Sequence, residues 1–158
     1  MNLQIKKIVT GGQTGVDRAG LDSALENDLP IGGWCPKGRR AEDGPLAAPY
    51  PLRETPKENY SQRTEWNVRD SDGTLILVNQ DDHAKTGGTA LTVQFAQEHH
   101  KPYLVINMAN GADFDRLSEW VEGNEIQTLN IAGPRESKSP GIYNQAKAFL
   151  NQWLKKIS

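Results

Sequence analysis

Cysteine is scarce in this chain of 158 residues, and an excess of basic charge and long apolar runs are missing from it. Its one cysteine, Cys35, excludes an internal disulfide and argues against a metal site built from the thiolates of a single chain. A reduced, cytoplasmic protein is therefore expected. The 18 Lys and Arg stand against 20 Asp and Glu, a formal net charge of -2, so no general basic field favours a nucleic-acid partner. No apolar run approaches the roughly 18 residues that a membrane-spanning helix needs, so no membrane partner is expected. Met1 to Lys6 leads almost directly into the first strand and leaves no room for the apolar core and cleavage site of a signal peptide.

What the chain does have is glycine at strand ends. The stretch Ile8 to Asp17, IVTGGQTGVD, reads as a buried β-branched strand followed by Gly11, Gly12 and Gly15 where the backbone turns. Val16, Leu21, Ala24 and Leu25 then fall on one face of a helix, so the loop presents N–H groups at a helix N-terminus, with Thr10, Gln13 and Thr14 adding polar side chains. The spacing is neither that of the Walker loop nor that of the dinucleotide GxGxxG turn, and a plain βα turn is the alternative.

Ile31 to Trp34 reads as a second strand ended by Pro36. Lys37 to Pro56, rich in Gly, Pro and charge, is long for a connection and is expected to be a flap beside the site. Thr55-Pro56-Lys57-Glu58 has the features of a helix start, the helix running to about Asp70 with Tyr60, Thr64 and Val68 on one face. Arg63, Glu65 and Arg69 are expected on a solvated face, and Trp66 in the core or an interface. Thr74 to Val78 is an uninterrupted apolar run, as in a central parallel strand. After the loop Asn79 to Thr86 come Gly87, Gly88 and Thr89, then a helix from Ala90 to His99, repeating the opening arrangement. Asp81, Asp82 and His83 are adjacent on that loop and converge poorly, so no metal site is expected.

Tyr103 to Ile106 is a fourth strand, Ala112 to Glu122 a helix with Phe114, Leu117 and Val121 inward, and Ile126 to Ile131 a fifth strand. Ser139 and Pro140 then suit the start of a last helix, whose apolar stripe comprises Ile142, Ala146, Phe149, Leu150, Trp153, Leu154 and Ile157. Alternating strands and helices predict one three-layer α/β domain, Rossmann-like, with a five-stranded, mostly parallel sheet. The order 2-1-3-4-5 is expected, because it gathers the first, third and fifth βα loops on one edge.

The segments TGGQTGVDRAGLDSAL, YSQRTEWNVRDSDGTLIL, TGGTALT and NIAGPRESKSPGIY together resemble the molybdenum carrier family, over nearly the whole chain. That family sits in a Rossmann-like superfamily with the Lonely Guy phosphoribohydrolases and DNA-processing protein A. The resemblance implies a small phosphorylated, nucleotide-like ligand or molybdenum cofactor. It would be held at Gly11, Gly12, Gln13, Thr14 and Gly15 and at Gly87, Gly88 and Thr89, with Arg135, Ser137 and Lys138 in reach of a phosphate. The Lonely Guy pattern also has a glutamate shortly after its second glycine motif. Here Gly87-Gly88-Thr89-Ala90-Leu91-Thr92-Val93-Gln94 carries no carboxylate before Glu98, leaving Asp17 or Asp82 to serve an N-glycosidic hydrolase. Binding therefore ranks above catalysis, and a nucleotide-sensing regulatory domain is a third reading. Trp34, Trp66 and Trp120 are expected in the core or in a homo-oligomer interface.

Overall fold

The longest strand, β5 (Gly73–Val78), is buried at every residue, as its unbroken apolar run predicts, and the rest of the main sheet is built around it. The computed structural model describes residues 4–158; of the leading stretch Met1 to Lys6, the first three residues lie outside the described part. The other strands are β1 (Lys7–Val9), β2 (Ile31–Gly32), β6 (Tyr103–Asn107) and β7 (Thr128–Ala132), and all five pair in parallel. A second, two-stranded sheet joins β3 (Trp34–Cys35) to β4 (Arg53–Glu54). The expected strand Ile31 to Trp34 is thus broken at Gly33, whose φ of 119° turns the chain from one sheet to the other.

The class is the expected one, but the order is not. The sheet runs β2-β1-β7-β5-β6, so the last strand lies between the first and the third long ones instead of at the edge. Burial explains the placement: β5 and β7 are buried through their middles, whereas β6 alternates between buried and half-buried positions and suits an edge. Two polar residues inside these apolar strands also satisfy one another there, Asn130 Nδ2 donating to Thr74 Oγ1 at 3.1 Å. Counted from β7, the order reads 3-2-1-4-5, that of a doubly wound α/β sheet whose first strand–helix unit stands at the end of the chain. The switch in strand order then falls between β7 and β5.

Helices α1 (Val16–Glu26), α4 (Phe114–Gly123) and α5 (Ile142–Ile157) cover one face, packing Val16, Ala19, Leu117, Val121, Leu150 and Trp153 on Leu75, Leu77, Leu129 and Ile131. The Trp153 indole is fully buried and donates to Ser118 Oγ at 3.0 Å. Helices α2 (Tyr60–Arg69) and α3 (Gly87–Glu98) pack together on the other face. Leu25, expected inward, is 47% exposed. Among the described residues no helix is long and apolar enough to cross a membrane.

Four helix starts differ from expectation: α3 begins at Gly87, not Ala90, α4 at Phe114, not Ala112, and α2 and α5 each start with a different cap. Thr55 directly follows β4, its hydroxyl donating to Lys57 O, and α2 begins four residues after Pro56 with Asn59 as its cap. Ser139 and Pro140 sit in a turn ahead of α5. The N-terminus of α5 is closed by Glu136, which accepts from Gly141 N at 2.6 Å and Tyr143 N at 2.9 Å, a better offer than a hydroxyl to a helix dipole.

Candidate functional site

At the carboxyl edge of the sheet, beside the switch between β7 and β5, the molecule holds a cavity of about 430 Å³. Gln13 comes to it from the loop after β1, His83, Gly88 and Thr89 from the region after β5, and Gly133, Arg135 and Lys138 from the loop after β7. The fourth wall is α2, through Tyr60, Ser61, Arg63 and Thr64. A smaller hollow of about 60 Å³ adjoins it, bounded by Asp17, Arg63, Asn67, Thr92 and Asn130. The main cavity is of a size to take a small organic ligand.

The first glycine loop spends its polar groups on the protein itself. Gly12 N donates to Thr10 Oγ1, Gln13 N to Asp17 Oδ2, Thr14 N to Gln13 Oε1 and Val16 N to Pro134 O. Gly11 lets the Arg63 side chain pass, for a methyl there would stand 2.0 Å from Arg63 Nη1. Arg63 reaches over it to Asp17, Nη1 to Oδ2 at 2.9 Å, in an ion pair whose side chains are only 14% and 4% exposed. Burial pushes the Asp17 carboxyl above its ordinary range, against the pull of Arg63 and the Gln13 N–H. Arg63 Nε is buried without a partner, beside the cavity. Gly15, at φ 77°, lies so near the β7 loop that a methyl would stand 2.4 Å from Pro134 O.

The second glycine loop is different. Gly87, Gly88 and Thr89 form the first turn of α3, and among the described residues their N–H groups meet no protein acceptor. The other helices are supplied from within: Asn59 caps α2, Asp113 caps α4, Glu136 closes α5, and Pro134 O receives the first N–H of α1. A methyl at Gly88 would touch nothing within 4 Å, and one at Gly87 would stand 3.1 Å from Lys138 Nζ. The α3 N-terminus therefore faces open cavity with a cation beside it, the arrangement that favours phosphate or carboxylate.

The model of the circularly permutated YpsA SLOG family matches residues 8–154. The chain belongs to that family. The strand order explains the description, since moving β7 and α5 ahead of β1 restores the unpermuted order. This family member is also similar, at 45% identity over 98% of each chain and with a TM-score of 0.92, to the crystal structure of a "Putative molybdenum carrier protein" from Syntrophus aciditrophicus SB. No curated protein matches it.

Within this family member the residues singled out from sequence separate into groups. Gln13, Gly88, Thr89, Arg135 and Lys138 line the cavity, and Asp17 lies at its wall while Asp82 does not line it. Gly11, Gly12 and Gly15 lie behind it as spacers for Arg63, Leu46 and Pro134, and Thr14 and Ser137 both contact Glu42. Arg63, expected on a solvated face, is instead mostly withdrawn from solvent and lines the cavity, because α2 presents Tyr60, Arg63 and Thr64 at helical spacing to it. The spacing is legible in YSQRTEWNVRD, but only the tertiary fold supplies Asp17 as its partner. His83 carries no such signal as a single loop residue, although its Nδ1 is buried at the cavity without a partner. Among the described residues no three His, Cys, Asp or Glu side chains converge as a metal site. Cys35 is buried, and burial pushes its thiol up, away from thiolate chemistry.

Residues 37–56 are an ordered clamp on the outside of the first loop. Arg39 donates to the carbonyls of Leu46, Ala47, Tyr50 and Leu52, Arg18 holds Asp43 through two hydrogen bonds, and the Tyr50 hydroxyl donates to Asp22 at 2.6 Å. Burial and the Asp22 hydrogen bond push the Tyr50 phenol up to about 12.

Proposed function

We propose that this protein binds or carries a phosphorylated, nucleotide-like ligand or molybdenum cofactor in the cavity at the carboxyl edge. The observation that carries the reading is the first turn of α3, open to the cavity with Lys138 beside it. A ligand phosphate would take the N–H groups of Gly87, Gly88 and Thr89. Lys138 and Arg135 supply charge, and the Tyr60 ring and Leu91 supply apolar wall for a flat heterocycle. The name carried by the similar Syntrophus protein supports the molybdenum cofactor among such ligands. Calorimetry with adenosine monophosphate and with molybdenum cofactor tests the reading: Gly88→Val should abolish binding of whichever ligand the parent protein takes. Equal affinity in parent and variant would remove the α3 site from consideration.

Hydrolysis of an N-glycosidic bond is the second reading, favoured by one observation, the Asp17 carboxylate at the cavity wall. Asp17 is engaged by Arg63 and by the Gln13 N–H, an arrangement suited to holding a loop and not to passing a proton. Release of free base from adenosine monophosphate should therefore stay well below about one turnover per second, the lower end of ordinary enzyme rates. Release at or above that rate would put the enzyme reading first.

A further inference from the structure

The carboxylate of Glu42 is gripped by groups from two other segments of the chain, and every one of them is a donor. It accepts from the Thr14 hydroxyl, from Ser137 N at 3.2 Å and from Ser137 Oγ at 2.5 Å, and Arg135 Nε stands 3.6 Å away. The Thr14 hydroxyl is free to donate because its oxygen already accepts from Glu136 N at 3.1 Å. Arg135 Nε is buried and makes no hydrogen bond, so the site holds more donor capacity than one carboxylate uses. Hydroxyls, a main-chain N–H and a guanidinium converging in this way are what an oxyanion needs. Arg135 also lines the cavity, as does Gln13, whose Oε1 accepts from Glu42 N at 2.8 Å.

We propose that Thr14, Arg135 and Ser137 form a second anion subsite, occupied in cis by Glu42, and that the ligand class is one with two linked anionic groups, such as a diphosphate. This rests on the reading that the first group sits at the N-terminus of α3. The second group exchanges with the Glu42 carboxylate, and residues 41–44 are released from the first glycine loop as it does so. No bond is made or broken; one anion replaces another on the same donors. Such exchange subtracts the cost of displacing Glu42 from the ligand's affinity.

Calorimetry with inorganic pyrophosphate on the parent protein, Glu42→Gln, Ser137→Ala and Gly88→Val tests it, together with hydrogen exchange of residues 41–44. Glu42→Gln removes the resident charge and should bind pyrophosphate about tenfold more tightly. Ser137→Ala loses a donor to either anion, and in that variant pyrophosphate should accelerate exchange at Glu42 and Gly44 less than in the parent protein. Glu42→Gln with parent or weaker affinity, or pyrophosphate bound to the parent with exchange at residues 41–44 unchanged, would overturn the subsite. The α3 reading fails separately, through unchanged pyrophosphate affinity in Gly88→Val while the Glu42→Gln effect persists. Parent protein and Glu42→Gln both failing to bind pyrophosphate would overturn the subsite as well.

Discussion

The two glycine-rich loops look alike as sequence and do opposite things as structure. Gly11 to Gly15 is packed shut: the N–H groups of Gly12, Gln13 and Thr14 are taken by Thr10, Asp17 and Gln13, that of its neighbour Val16 by Pro134, and its glycines make room for Arg63, Leu46 and a carbonyl. Gly87 to Thr89 is open, with no acceptor among the described residues and free space above Gly88. A glycine can thus mark a place where the protein's own atoms come close or a place left open. The atom that a Cβ would meet tells the two apart.

The largest effect should come from opening the shut loop at its base. Asp17→Ala strands the buried Arg63 guanidinium without a counter-charge and should cost about 3–5 kcal/mol of folding stability, read by urea unfolding. A loss under about 1 kcal/mol, the range of surface pairs, would mean that the pair is solvated. Gly15→Ala comes next. A left-handed φ and a carbonyl at 2.4 Å should cost about 2 kcal/mol or more, while Gly88→Ala should leave apo stability within about 0.5 kcal/mol. Equal losses at the two glycines would erase the distinction.

That distinction is only half legible in the sequence. The apolar run of β5 and the stripe on α5 reveal those elements, because burial on one or both faces writes itself into hydrophobic period. Which strands are neighbours is not written there. The clue is polar: Thr74 and Asn130, the buried polar side chains of β5 and β7, each need a partner and find the other. Arg63 is hidden for a related reason. A charged residue on a helix reads as solvated until the fold brings Asp17 against it, and neither lies near the other in the chain.

On the open side the effects are smaller and fall on affinity. Lys138→Ala and Arg135→Ala should each weaken ligand binding by about 1.5–3 kcal/mol, as for a lost charge-assisted hydrogen bond, with the apo melting temperature nearly unchanged. Loss of stability with intact affinity would make either residue structural. The smallest effect concerns acid. Burial alone would raise Glu42, but the hydrogen bonds from Ser137 and Thr14 and the charge of Arg135 hold its carboxyl below the ordinary 4.5. Its stabilising contribution is present above pH 4.5 and disappears as the pH falls through the lower folded value, where carboxylate becomes acid. Acid unfolding followed by circular dichroism should show Glu42→Gln less stable than the parent near neutrality, with the two curves converging below that point. A constant gap between the curves would show that the latch carries no charge.

The position of β7 has a consequence for synthesis. Of the five main-sheet strands it is the last to be made, yet it stands between β1 and β5 and hydrogen-bonds to both. A nascent chain grown as far as β6 holds two strand pairs, β1 with β2 and β5 with β6, whose facing edges wait for a strand not yet translated. The cavity follows the same schedule, because Gly133, Arg135 and Lys138 arrive with the segment that follows β7. On the proposed reading, ligand capture waits for that segment, and the exposed strand edges are the feature a chaperone would have to shield until β7 is made.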